Sequence, residues 1–238
     1  MPTHTGLLVA AVENHLIELL PRQDRLRLLA LCETVDLDLS AILGEPGTPT
    51  RHVYFPTEGF VSLIALTNAS PGVEVGMVGR EGMVGVQLAL GVTIAPLRTL
   101  VQGQGTARRV KATAFRAELA RSEALQRGLD RYLYVLMSQL ATSAACLRFH
   151  MIGPRLARWL LMSQDRAHAK DFRVTQKFLA YMLGVRRVGI TKAAGDLQRC
   201  GLIKYHRGDV TVLDRSGLEA AACACYAADR SAYAEMMR

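Results

Sequence analysis

Residues 174–203, VTQKFLAYMLGVRRVGITKAAGDLQRCGLI, decide the fold of this chain. They read as two short amphipathic helices around a tight turn. Thr175 can cap the first helix by accepting a bond from a backbone N–H of the first turn. Phe178, Leu179, Met182 and Leu183 recur at helical spacing and form its inner face. Gly184 stands at the turn, where a residue without Cβ tolerates φ > 0. Val185, Ile190, Ala193, Ala194 and Leu197 then form a second apolar stripe, and Arg186, Arg187, Thr191 and Lys192 fall outside it. A helix packed on a first one, with cations and a hydroxyl on its outward N-terminal half, meets the requirements of major-groove reading. The stretch is a helix-turn-helix.

The sequence beyond it extends this reading. After Gly201, two short apolar runs flank Arg207-Gly208-Asp209 and read as a β-hairpin, the wing of a winged helix. Arg207 at its tip would meet a phosphate or a minor groove. A small α/β unit with a solvated basic loop is the other reading of the same residues. Charge favours the first: between Arg173 and Arg207 eight Lys/Arg face one acid, Asp196. The whole chain carries +8, and residues 1–151 account for only +1 of it, with fifteen cations and eight acids from Ile152 onward. Positive charge gathered at one end is the footprint of a polyanion, here double-stranded DNA. A basic membrane-binding surface competes, but its cations would be expected on one long amphipathic helix.

The 238 residues are 50% hydrophobic, enough for a core and two domains. No stretch reaches the roughly 18 apolar residues of a membrane helix, and the N-terminus lacks the basic region of a signal peptide. A cytoplasmic protein is expected. Its five scattered cysteines (Cys32, Cys146, Cys200, Cys223, Cys225) read as reduced thiols. Cys223-Ala-Cys225 is one CxC with no second Cys or His pair near it, on a helix expected over 217–237 that would turn the two thiols to different faces. No metal site is expected there, and the six histidines show no ligand spacing.

Three parts follow along the chain. Residues 7–43 read as helical, with Leu16, Leu19 and Leu20 before Pro21 and Leu26, Leu28, Leu29 and Leu31 after it. From 51 to 111 come glycine-punctuated β-type runs (HVYFP, GFVSLIAL, GVEVGMVG, LRTLVQGQGTARRV), which predict an antiparallel roll or barrel. Glu74 fits a half-exposed strand position. Residues 122–150 predict one long helix on which Leu129, Leu133, Leu136, Leu140, Ser143 and Leu147 are spaced as a coiled-coil seam. That seam suits a dimer axis; packing on the chain's own core is the alternative. Gly153-Pro154 predicts the break before the last part. The expected domains are a sensor with N-terminal helices (1–121), a dimerisation helix (122–150) and a winged helix-turn-helix (151–238).

This order of parts resembles the Crp/Fnr family of bacterial transcription regulators over nearly the whole chain. The resemblance is carried by YFPTEGFVSLI (54–64), VGREGMVG (78–85), RLARWLL (155–161), TQKFLAYMLGVRR (175–187) and LQRCGLI (197–203), with the tail GLEAAACACY (217–226) similar to one branch. It implies an α+β fold with a cyclic-nucleotide-binding-like β-roll, and a homodimer on a palindromic operator. It also implies that Arg187, Val188 and Lys192 read bases. An Arg there can pair bidentately with guanine, whereas Val188 stands where many members carry a glutamate and offers only a contact to a thymine methyl. Thr175, Gln176 and Arg186 would contact phosphates. RNA polymerase is a further partner the resemblance allows, with no patch for it evident here.

On the effector side the resemblance points to Glu81 for a ribose and to Arg98 and Thr99 for a cyclic phosphate. The apolar MVGVQLALGVTIAP between them departs from the family's polar cassette, so a cyclic nucleotide is not favoured. The first 140 residues hold only Cys32, and His52 alone is a poor axial ligand. Neither an iron–sulfur cluster nor haem is expected. No G-x-S-x-G, Walker A or H-E-x-x-H pattern appears, so catalysis is not expected. A winged helix that mediates protein contacts remains the alternative to DNA reading.

Overall fold

The computed structural model describes residues 13–67, 70–167 and 169–238. His4, His168 and the stretch of the expected first helix before residue 13 lie outside them. Two helices open the described chain: α1 (His15–Glu18), capped by the Asn14 side chain, and α2 (Arg22–Ala30). The roll follows as β1 (Glu33–Leu37), β2 (Ile42–Gly44), β3 (His52–Pro56), β4 (Phe60–Thr67), β5 (Ser70–Val78), β6 (Arg98–Gly103) and β7 (Gly105–Lys111). The sequence placed helix over 33–43 and the structure places β1 and β2 there. Glu33-Thr34-Val35-Asp36-Leu37 pairs antiparallel with β7, from Glu33 opposite Arg109 to Leu37 opposite Gly105. Backbone pairing available only in the folded roll overrides the local leucine pattern.

Two antiparallel sheets close on each other, ordered β1-β7-β3 and β2-β6-β4-β5. Their inward residues, among them Leu37, Val61, Leu63, Val78 and Val101, form one core. A second core joins Val53, Phe55 and Val110 to α1, α2, α3 (Ala112–Arg121) and the first half of α4 (Glu123–Phe149). Ser122 caps α4 by accepting from the Leu125 N–H, and the helix runs unbroken through 27 residues.

The break after α4 falls at His150-Met151. Gly153-Pro154 lies inside the first turn of α5 (Ile152–Ala167), where the missing proline N–H has no intrahelical partner to lose. Then come β8 (Asp171–Arg173), α6 (Gln176–Met182), α7 (Arg187–Arg199), β9 (Ile203–His206), β10 (Asp209–Val212), α8 (Arg215–Ala221) and α9 (Cys225–Met236). Leu156, Leu160, Leu161, Leu179, Ile190 and Leu197 share a core that continues into Phe60, Ile64 and Met77 of the roll. The last module is thus seated on the roll. No helix among the described residues is long and apolar enough to cross a membrane.

Candidate nucleic-acid interface

Thr175 caps α6, its hydroxyl accepting from the Phe178 N–H. Gly184 turns the chain at φ 61° and Arg186 is the N-cap of α7. Ile190, Ala193, Ala194 and Leu197 pin the inner side of α7 to the core. Arg186, Arg187, Val188, Thr191 and Lys192 are left on its outer side, with Val188 73% exposed. The Thr191 hydroxyl donates to Gln176 Oε1 at 2.7 Å and ties the two helices of the motif together. Among the described residues Arg186, Arg187 and Lys192 make no ion pair, so their charge is free for a polyanion.

The wing stands beside them. The β9–β10 hairpin turns through Arg207 and Gly208 at φ 50° and 94°, a two-residue loop with both residues left-handed, which matches the twist of the strands. Strand β8 adds a third member, giving the order β8-β10-β9. Gln198 Oε1 accepts from the Tyr205 N–H at 2.7 Å and Tyr205 donates to the Val174 carbonyl at 2.7 Å, so helix and wing are fixed to one another. Arg207 is exposed at the tip. All eight residues read from the sequence as DNA contacts therefore belong to one module built of α6, α7 and the hairpin.

The three effector candidates are not brought together. Glu81 accepts from Gly79 N–H and from Arg166 of α5, and lines a cleft of about 830 Å³ with Arg80, Tyr132, Gln139, Arg166 and Tyr233. Arg98 instead pairs with Glu45 at 3.0 Å and stands beside Tyr181 of α6. Thr99 is buried next to the Gly44 carbonyl. Glu74 is half-buried, as its strand position suggests, and its carboxylate accepts from the Ser62 hydroxyl at 2.5 Å and from the Trp159 indole N–H at 2.9 Å. Burial outweighs these bonds and pushes its pKa up to about 7.

The seam residues of α4 divide between two faces. Leu129 and Ser143 are buried against the chain's own cores together with Leu125, Tyr132, Val135, Gln139 and Cys146. Leu133, Leu136, Leu140 and Leu147 are half-buried, and Tyr134 and Met137 beside them are open.

The expectation of no metal site is overturned by the hinge between α4 and α5. Cys146 and His150, four apart at the end of α4, meet Cys223 and Cys225, and their four ligand atoms all lie within 4.8 Å of one another. The helix expected over 217–237 is interrupted between α8 and α9, so Cys223 precedes the helix that Cys225 begins. Two thiols that an unbroken helix would separate thus turn to one point. A hydrogen bond from Cys146 is the main influence holding the Cys223 thiol below the usual range.

Residues 154–221 match the model of a Crp-like helix-turn-helix domain. Three solved structures share the fold of the chain. FixK2 from Bradyrhizobium japonicum has 14% identity and a TM-score of 0.68, over 81% of this chain and 98% of its own. The c-di-GMP responsive global regulator CLP of Xanthomonas campestris has 18% identity and a TM-score of 0.65, over 81% and 99%. A transcriptional regulator of the CRP family from Thermus thermophilus has 20% identity and a TM-score of 0.63, over 79% and 96%. No curated protein sequence matches the chain.

Proposed function

We propose that the chain, which carries a Crp-like helix-turn-helix domain over residues 154–221 and shares its fold with solved regulators, is a DNA-binding transcription regulator of the Crp/Fnr kind that works as a homodimer on a twofold-symmetric operator. One α7 would enter the major groove of each half-site. The observation that carries this reading is the outward half of α7, where Arg187, Val188 and Lys192 stand exposed and without ion-pair partners among the described residues. Arg187 is the reader of a guanine, a contact worth about 1–3 kcal/mol of discrimination. Val188 touches a thymine methyl at most. Thr175, Gln176, Arg186 and Arg207 hold phosphates and set the register of the helix.

The second copy meets α4 along Leu133, Met137, Leu140 and Leu147, of which Met137 is exposed and the three leucines are half-buried. Half-sites one helical turn apart make the two recognition helices a caliper, which a shift in α4 packing would open or close. The signal is not assigned to Glu81, Arg98 and Thr99, since each is engaged elsewhere in the fold.

Selection from a random duplex pool tests the reading. Wild-type protein is expected to enrich an inverted repeat, and Arg187→Ala to lose preference at one symmetric pair of positions while keeping the rest. An unchanged motif in Arg187→Ala would remove Arg187 as a reader. Binding that is blind to sequence under every condition tried would refute operator recognition.

A further inference from the structure

The four side chains at the α4–α5 hinge come from two stretches distant in sequence, the end of α4 and the start of α9. Cys146 lies in the last turn of α4 and His150 is the residue that ends it. Cys223 and Cys225 bracket the start of α9, and the Cys223 N–H donates to the carbonyl of Pro154 in the first turn of α5 at 3.4 Å. The cluster thus sits where the long helix, the DNA-reading module and the C-terminal tail meet.

Its dimensions discriminate between occupants. Cys146 Sγ and Cys223 Sγ are 3.5 Å apart, and so are Cys225 Sγ and His150 Nδ1. Around one tetrahedral ion with metal–sulfur bonds near 2.3 Å and metal–nitrogen bonds near 2.0–2.1 Å, the ligand–ligand edges come to about 3.5–3.8 Å. The two edges match, and the four ligand atoms span no more than 4.8 Å. A cluster of several irons would hold its thiolates farther apart, so a single ion fits and a polynuclear centre does not. The donor set of three soft thiolates and one imidazole selects zinc over the hard cations magnesium and calcium.

Charge agrees. Three thiolates and a neutral histidine around a dication carry one net negative charge, which a half-buried site cannot hold alone. Arg155 and Arg158 are both buried and close enough to Cys146 and Cys223 to act on their charge. Arg155 is held by the Leu183 carbonyl, and Arg158 by Asp229 of α9 at 2.6 Å. The three cysteines are buried, and His150 is the exposed member of the set.

The geometry points to a mononuclear Cys3His zinc site, formed by Cys146, His150, Cys223 and Cys225, that clasps the C-terminal helix to the hinge between α4 and the DNA-reading module. Binding replaces the thiol protons: one zinc ion enters, three protons leave, and neither metal nor sulfur changes oxidation state. The reach of the clasp is long, because α9 continues to Tyr233, whose hydroxyl donates to the Glu81 carbonyl at 2.9 Å and lies 2.6 Å from His15 Nδ1.

Elemental analysis of the full chain, purified under reducing conditions, is the first test, and it requires no DNA-binding activity. One zinc per chain is expected. Stripped, reduced protein titrated with cobalt(II) should develop the visible bands of a tetrahedral ion and a thiolate-to-cobalt charge-transfer band. Cys223→Ser and Cys146→Ser should lose these bands, His150→Ala should shift them, and Cys32→Ser and Cys200→Ser should leave them unchanged. Wild-type protein that carries no zinc and takes up no cobalt while reduced would overturn the proposal, as would a centre containing several irons and acid-labile sulfide. Loss of the cobalt bands in Cys32→Ser or Cys200→Ser would do the same. The wild-type measurements decide even where a variant fails to fold.

Discussion

Glu74 shows how a single residue changes character once a second module covers it. On β5 it alternates with Val73 and Val75 and stays half-buried, while Trp159 of α5 donates to its carboxylate from above. Ser62, Trp159, Arg158 and Arg166 are the groups that act on its carboxylate, and their combined pull does not offset burial. With its pKa raised from 4.5 to about 7, the carboxyl stays protonated in the folded chain over a range where the unfolded chain has released the proton. The unfolded state then binds fewer protons, so this contribution to stability is full below pH 4.5 and is lost as pH rises through 7. Trp159 is the only tryptophan and reports on this contact directly. Its emission should change with a midpoint near pH 7 in the wild type and stay flat in Glu74→Gln. A flat wild-type profile would show that the β5–α5 contact does not depend on this proton.

At the scale of elements, legibility follows the distance over which the deciding interactions act. The helices α6 and α7 and the wing hairpin are set by contacts a few residues apart: the Thr175 cap, the Ile190–Leu197 stripe, the left-handed pair Arg207-Gly208. Those are readable in sequence. Strand β1 exists because β7 lies beside it, more than sixty positions along the chain, so its leucine-rich approach reads as helix. The seam of α4 is a middle case, since 4,3 spacing marks an apolar helix face without saying what covers it. Packing separates the two answers: Leu129 belongs to the chain's own core, while Met137 is 62% exposed. Leu129→Ala should therefore destabilise the monomer fold by about 2–5 kcal/mol. Met137→Glu should leave that fold intact and place an unpaired charge at the axis twice, at a cost of about 3 kcal/mol or more, so the dimer Kd should rise at least a hundredfold. Sedimentation equilibrium combined with thermal unfolding distinguishes these outcomes; a dimer unaffected by Met137→Glu would place the twofold axis elsewhere.

For the whole molecule, the thiol cluster was illegible because Cys146 and Cys223 are 77 positions apart and a helix break, not a motif, aligns them. Its location gives it a consequence for DNA reading if zinc occupies it. The recognition module keeps its own core without the clasp, through Leu156, Leu179, Ile190 and Leu197. Phosphate contacts from its free cations should therefore survive metal removal, and nonspecific, salt-sensitive binding with them. What the clasp holds is the angle between α5 and α4, hence the separation of the two α7 helices in a dimer. Stripping the metal should lower operator affinity by about 5- to 150-fold, the range of a 1–3 kcal/mol coupling, with nonspecific affinity little changed. Linkage makes this sharper, since an effect of metal on operator binding requires an equal effect of operator on metal binding. Cobalt titrated with and without operator duplex, at a fixed pH because three protons leave per ion, should show the same factor. Equal cobalt affinities in the two titrations would mean that the site staples the tail and takes no part in setting the caliper.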